Sequence, residues 1–165
     1  MAEICLSSDS IARTEEIGAA LARAIAAAMP QMPVFVAMYG DLGAGKTAFT
    51  RGFASVLSPG SRVKSPTYTV VNEYRRGPYP VFHFDLYRME DPDSLDSVGF
   101  DEYLASGICI AEWSEHLGDR QPEEMISVTI RKCGDAARRI TLALPEKVAV
   151  HFHLMKGAHH ADTGS

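Results

Sequence analysis

Cysteine is scarce in this 165-residue chain, and Cys5, Cys109 and Cys133 are odd in number, far apart and free of any C-x-x-C pattern. That excludes a disulfide framework and a thiolate zinc site, and it fits reduced thiols in a cytoplasmic protein. Net positive charge is also missing. A formal charge of −5 leaves no chain-wide basic surface for nucleic acid. No apolar run approaches the ~20 residues of a membrane span. The alanine-rich stretch 19–29 is broken by Arg23 and preceded by Arg13, Glu15 and Glu16, so it reads as an amphipathic helix rather than a signal-peptide core. No Asn-Lys-x-Asp guanine-reading tetrapeptide occurs, which weakens a GTPase reading. His151, His153, His159 and His160 have no cysteine or carboxylate beside them at metal-ligand spacing, which argues against a structural zinc site. What remains, with 46% apolar and 22% charged residues, is the composition of one soluble α/β-sized domain.

The most informative stretch present is Gly40-Asp41-Leu42-Gly43-Ala44-Gly45-Lys46-Thr47, which fits the phosphate-binding pattern G-x-x-x-x-G-K-[ST]. An apolar run over 34–39 precedes it as a buried strand. Phe49, Phe53, Val56 and Leu57 follow at helical spacing. Strand, loop and helix form the context that the motif requires. Asp41, Leu42, Gly43, Ala44, Gly45, Lys46 and Thr47 are therefore the expected nucleotide cradle. The glycines let successive N–H groups turn inward, and the helix start adds unpaired amides and a positive dipole end. Lys46 brings a compact charge to the outer phosphates, and the Thr47 hydroxyl is a hard ligand suited to Mg²⁺.

Elsewhere the pattern predicts an edge strand over 3–7, an N-cap among Ser8, Asp9 and Ser10, and a helix with Ile17, Leu21, Ala24, Ile25 and Ala28 on one face. Two strands over 67–75 and 79–87 flank the Gly77-Pro78 turn. Asp91-Pro92 opens a short acidic helix to about Val98. A buried strand covers 107–113, and a hairpin joins Ile126, Val128 and Ile130 to Ile140, Leu142 and Leu144. The expected fold class is α/β, a P-loop NTPase-like three-layer sandwich with parallel central strands and antiparallel edge strands. Residues 1–147 are read as the ATPase domain and 148–165 as a C-terminal tail.

A phosphate loop needs an acid for the metal and for the attacking water. Asp85 closes the run Val81-Phe82-His83-Phe84-Asp85, and Glu112 closes Ile108-Cys109-Ile110-Ala111-Glu112. Carboxyl ends of strands line the ligand crevice of α/β sheets, so either acid can serve, against the plainer reading of ordinary strand-ending acids. Ser65-Pro66-Thr67 has the hydroxyls of a switch segment, or is a loop entering a strand. His83 shares a strand face with Asp85 as a supporting partner or as a core histidine. Trp113 walls the site or belongs to the core.

Taken together, YGDLGAGKT at 39–47, Arg51-Gly52-Phe53, VKSPTYTV at 63–70, HFDLYR at 83–88 and Glu112-Trp113 resemble the TsaE family, formerly YjeE. The resemblance runs from about Ser8 to Leu144. It implies an ATPase for threonylcarbamoyladenosine modification at position 37 of tRNA. It implies TsaB- and TsaD-like partners, with tRNA reached indirectly through that complex. It further implies ATP and Mg²⁺ as cofactors, with Thr47, Glu112 and Asp85 at metal positions, Asp85 acting through water. Lys46, Asp85 and Glu112 are then the catalytic set, and Ser10, Thr67 and Trp113 join the nucleotide site. Slow turnover in isolation is expected, because neither Arg51, read as facing away from the loop, nor Arg88 is placed as an inward finger. Ser114 departs from the family, which usually has proline there. The alternative is a small-molecule or nucleoside kinase, although no arginine-rich lid segment is evident.

Overall fold

The computed structural model describes residues 1–28, 33–66 and 69–161. Their order is β1 (Ala2–Ser8), α1 (Ile11–Ala28), β2 (Val34–Tyr39), α2 (Lys46–Leu57), β3 (Val71–Tyr74), β4 (Val81–Asp85), a 3₁₀ segment Pro92–Val98, α3 (Phe100–Ser106), β5 (Ile108–Glu112), a second 3₁₀ segment Ser114–Arg120, β6 (Ile126–Lys132), β7 (Arg138–Leu144) and α4 (Glu146–Ala161). The strands described form one seven-stranded sheet in the order β1-β7-β6-β2-β5-β4-β3.

The composition of each strand matches its place. β2 and β5 are apolar almost throughout and buried along their length, and they pair in parallel at the centre. Such strands need cover on both faces. α1 and α2 supply one cover. Leu95, Phe100 and Leu117, from the 3₁₀ segments and α3, supply the other, packing on Phe35, Phe82, Phe84 and Cys109. β1, β6 and β7 instead alternate buried with exposed or half-buried residues. They present Ile4, Leu6, Ile130, Ile140 and Leu142 to the α1 side only. The sandwich is thus three layers over its parallel half and two over its antiparallel half, as the sequence pattern requires.

The hairpin does more than the sequence indicated. β6 pairs in parallel with β2, Val36 opposite Ile126 and Tyr39 opposite Thr129, so its turn end comes up beside the glycine loop. β7 then pairs antiparallel with β1, Ala2 opposite Leu144. α3 and the 3₁₀ segment at 114–120 were not anticipated, and the strand expected over 67–75 is β3 at Val71–Tyr74. α4 begins at Glu146 and takes in residues 148–161 of the stretch expected as a tail, and Val148, Ala149 and Phe152 are buried in the core shared with α1.

Helix α2 is held close to α1 by missing side chains. A Cβ on Gly52 would lie 1.8 Å from the Glu15 carbonyl oxygen, and one on Gly18 would lie 2.2 Å from that of Phe49. Both are far inside contact distance, so only glycine allows this approach. It fixes the α2 N-terminus over the ends of β2, β4 and β5.

Candidate functional site

The loop between β2 and α2 turns tightly. Ala44 N donates to Asp41 O at 3.0 Å, and Gly45 takes φ 115°, a conformation that a side chain would resist. Lys46 opens α2. Its ammonium folds back over the loop and donates to the carbonyls of Gly40 and Asp41, the latter at 2.9 Å. It also lies 4.2 Å from the centre of the Trp113 ring. Burial pulls the Lys46 pKa below its ordinary range, opposed by the nearby charges of Glu112, Glu115, Asp85 and Asp41.

Opposite the loop, parallel pairing sets Asp85 beside Glu112 in register. Strand alternation turns both acids, with His83, to the α2 face. Glu112 is buried, only 2% exposed. Thr47 Oγ1 donates to its Oε1 at 3.2 Å. His83 Nε2 lies 3.4 Å from its Oε2, close enough for electrostatic contact but without hydrogen-bond geometry. His83 Nδ1 is paired with the Tyr74 hydroxyl at 3.0 Å. Asp85 is half-exposed. Its Oδ1 accepts from Tyr87 N at 3.0 Å and its Oδ2 from Ser65 Oγ at 2.8 Å.

These groups surround a cleft of about 620 Å³, within the range of nucleotide-sized sites. Of the residues expected at the site, Ser10, Leu42, Gly43, Ala44, Gly45, Lys46, Thr47, Asp85, Glu112 and Trp113 line it. Asp41 contributes its carbonyl to the loop without lining the cleft, and Thr67 lies outside the described residues. Ser10 also caps α1, accepting from Arg13 N at 3.0 Å. Trp113 has φ 60°, a left-handed conformation costing roughly 1–2 kcal/mol in an L residue. The chain beyond it is pinned by Ser114, whose hydroxyl donates to Ala111 O at 2.7 Å.

Several residues of the site differ from the sequence reading, among them Arg88, which borders the cleft although the sequence did not place it as pointing inward. Arg51, expected to face away from the loop, borders the cleft and pairs with Glu15 at 2.8 Å. Thr14 and Arg138 also line it, and neither carries a motif that would have marked it. Thr14 is tied to Ser8 through a buried hydroxyl pair at 2.8 Å. The only hint of Arg138 in the sequence is the basic pair it forms with Arg139 at the head of β7.

A glycine loop running from a central parallel strand into a helix, with acids at the ends of the neighbouring strands, is the P-loop NTPase-like architecture. Within that class the comparisons are specific. The family model described as Threonylcarbamoyl adenosine biosynthesis protein TsaE matches residues 8–140, and the chain belongs to the TsaE family. It is 45% identical over 103 residues to the tRNA threonylcarbamoyladenosine biosynthesis protein TsaE of Bacillus subtilis (strain 168), covering 62% of this chain and 64% of that protein. The protein of the same name from Haemophilus influenzae is 44% identical over 104 residues, covering 62% and 66%. The chain thus spans just under two thirds of the length of these two relatives. The protein of that name from Rickettsia bellii is 31% identical over 134 residues, covering 81% of this chain and 92% of that one. The crystal structure of Bacillus subtilus YdiB superposes with a TM-score of 0.75 at 29% identity, covering 96% of this chain and 97% of that one.

Proposed function

We propose that this protein binds ATP with Mg²⁺ and hydrolyses it in the service of threonylcarbamoyladenosine modification of tRNA, in the cytoplasm, together with TsaB- and TsaD-like partners. The observation that carries the chemistry is the contact between Thr47 and Glu112, which brings the last residue of the glycine loop to the acid at the end of β5. A hydroxyl and a carboxylate are hard oxygen donors, the set Mg²⁺ prefers. Among the described residues no group of three His, Cys, Asp or Glu side chains is placed to hold a metal by itself. Thr47 and Glu112 are the residues that would hold the ion. When bound, Mg²⁺ neutralises charge on the transferring phosphate.

The protein's own residues supply the rest. The loop amides and the α2 N-terminus bind the phosphates. The Lys46 ammonium, held over the loop, is placed to exchange its carbonyl partners for phosphate oxygens. Asp85, steadied by Tyr87 N and Ser65, orients the attacking water on the open side of the cleft. The new bond joins water oxygen to the γ-phosphorus. The bond from that phosphorus to the bridging oxygen breaks, and the water proton leaves with phosphate or solvent.

Three exposed apolar side chains, Ile11, Leu42 and Tyr87, stand around the cleft. Such a rim favours a protein partner covering the nucleotide, in keeping with slow turnover by the isolated chain. The deciding experiment measures phosphate release by the chain alone, with the TsaB–TsaD pair, and with tRNA added. The expected result is a low basal rate that the partners change, abolished by Lys46→Ala. A fast rate indifferent to the partners, or stoichiometric phosphate transfer to a nucleoside, would favour the kinase alternative.

A further inference from the structure

One side chain fastens the β6–β7 turn to the glycine loop. Arg138, the first residue of β7, directs Nε at Ala44 O (2.8 Å) and Nη2 at Gly43 O (3.4 Å). Its Nη1 faces the carbonyls of Gly134 (3.1 Å), Asp135 (3.3 Å) and Ala137 (2.9 Å). All of these acceptors are main-chain oxygens, two in the loop and three in the turn. Lys132, the register partner of Arg138 across the hairpin, brings a second cation to the same place, 3.2 Å from where a Gly43 side chain would start.

The consequence follows from peptide geometry. A trans peptide points its C=O and the following N–H in opposite directions. With Ala44 O held toward Arg138, the N–H of Gly45 must point away from it. The Ala44 N–H is already spent on Asp41 O. Gly45, at φ 115°, has the least intrinsic preference for keeping its flanking peptide in one orientation, so an outside restraint has the most effect there. We propose that Arg138 is a positioning residue for polyphosphate: it holds the 43–45 peptides in the orientation that leaves the Gly45 amide to the ligand. The inference rests on reading the loop as a phosphate cradle.

The test uses inorganic tripolyphosphate with Mg²⁺ as probe, beside ATP, measured by calorimetry on the full chain. Arg138→Gln should weaken both by roughly ten- to a hundredfold, the loss of charge-assisted bonds. In turnover the loss should fall on KM more than on kcat. Arg138→Lys keeps the charge but only one compact donor group, and it should recover a minor part of the affinity. It also decides the matter if Arg138→Gln fails to fold. Full rescue by lysine would mean that charge alone matters and would overturn the proposal. So would unchanged tripolyphosphate affinity in both variants, or a fall in kcat at unchanged affinity, which would make Arg138 a direct participant on the transferring phosphate. Lys46→Ala separates the two readings. If it loses tripolyphosphate binding while Arg138→Gln keeps it, only the positioning role fails. If Lys46→Ala keeps it, the cradle itself is misread.

Discussion

Asp85 and Glu112 are opposite numbers on adjacent parallel strands, yet the protein treats them differently. Glu112 is sealed beneath the α2 N-terminus, with Thr47 on one oxygen and the His83 ring near the other. Asp85 stands half in solvent, held by a backbone amide and a serine from the loop before β3. The difference comes from the neighbours. β5 has a parallel strand on each side, whereas beyond β4 lies only the short β3. An acid at the centre of the sheet is stripped of water and needs a fixed cationic or hydroxyl partner. An acid one strand out retains water, as the role proposed for Asp85 in orienting a water nucleophile requires.

Substitution can break this contrast. The largest effect is expected for Glu112→Gln, which keeps shape and removes charge. Mg²⁺-dependent ATP affinity should fall about ten- to a hundredfold, and turnover should fall with it. ATP affinity measured with and without Mg²⁺ checks this. Full retention of the metal-dependent part would exchange the roles of the two acids. Asp85→Asn comes next, with turnover down roughly a hundredfold but ATP affinity within about threefold. A matching fall in Mg²⁺-dependent affinity would show that the two carboxylates share one task.

Ser65→Ala removes one support from Asp85, and turnover should drop about three- to tenfold, the worth of one hydrogen bond. An unchanged single-turnover rate would mean that Tyr87 N alone holds the carboxylate. The smallest effect concerns the seal around β5. Cys109 lies on that strand, buried, and burial pushes its thiol up to about 12. The thiolate is the reactive form, so at pH 8 only about one Cys109 in 10⁴ is poised to react. Brief alkylation of the native protein should label exposed Cys5 and Cys133 and spare Cys109, as read by peptide mass. Labelling of Cys109 at the pace of the others would show β5 opening, and with it the pocket of Glu112.

The glycine loop and both strand-ending acids were legible in the sequence because each is local, a motif or an apolar run with an acid at its end. Which acid is buried was not legible, since it depends on strand order, and order is set by pairings between distant segments. β6 reads as half of a hairpin, and nothing in 126–132 indicates that its other edge lies along β2. α3 escaped notice as a seven-residue helix with only Phe100 fully buried. α4 was obscured by its histidines and by a weak contrast between its faces, although Val148, Ala149 and Phe152 mark the buried one. Arg138 was invisible for another reason. Its partners in the glycine loop are backbone carbonyls 94 and 95 positions away, and carbonyls leave no mark in a sequence.

The pairing of β1 with β7 sets an order of assembly. As the chain leaves the ribosome, β1 emerges long before its pairing partner at residues 138–144 is made. The glycine loop, α2 and both acids are therefore synthesised well before the hairpin that braces the loop. Closing so long a connection is slow, so edge pairing and the seating of Arg138 should come late in folding. Tight binding of polyphosphate would then report a loop already braced by its hairpin, withheld from chains in which residues 138–144 are still to be made.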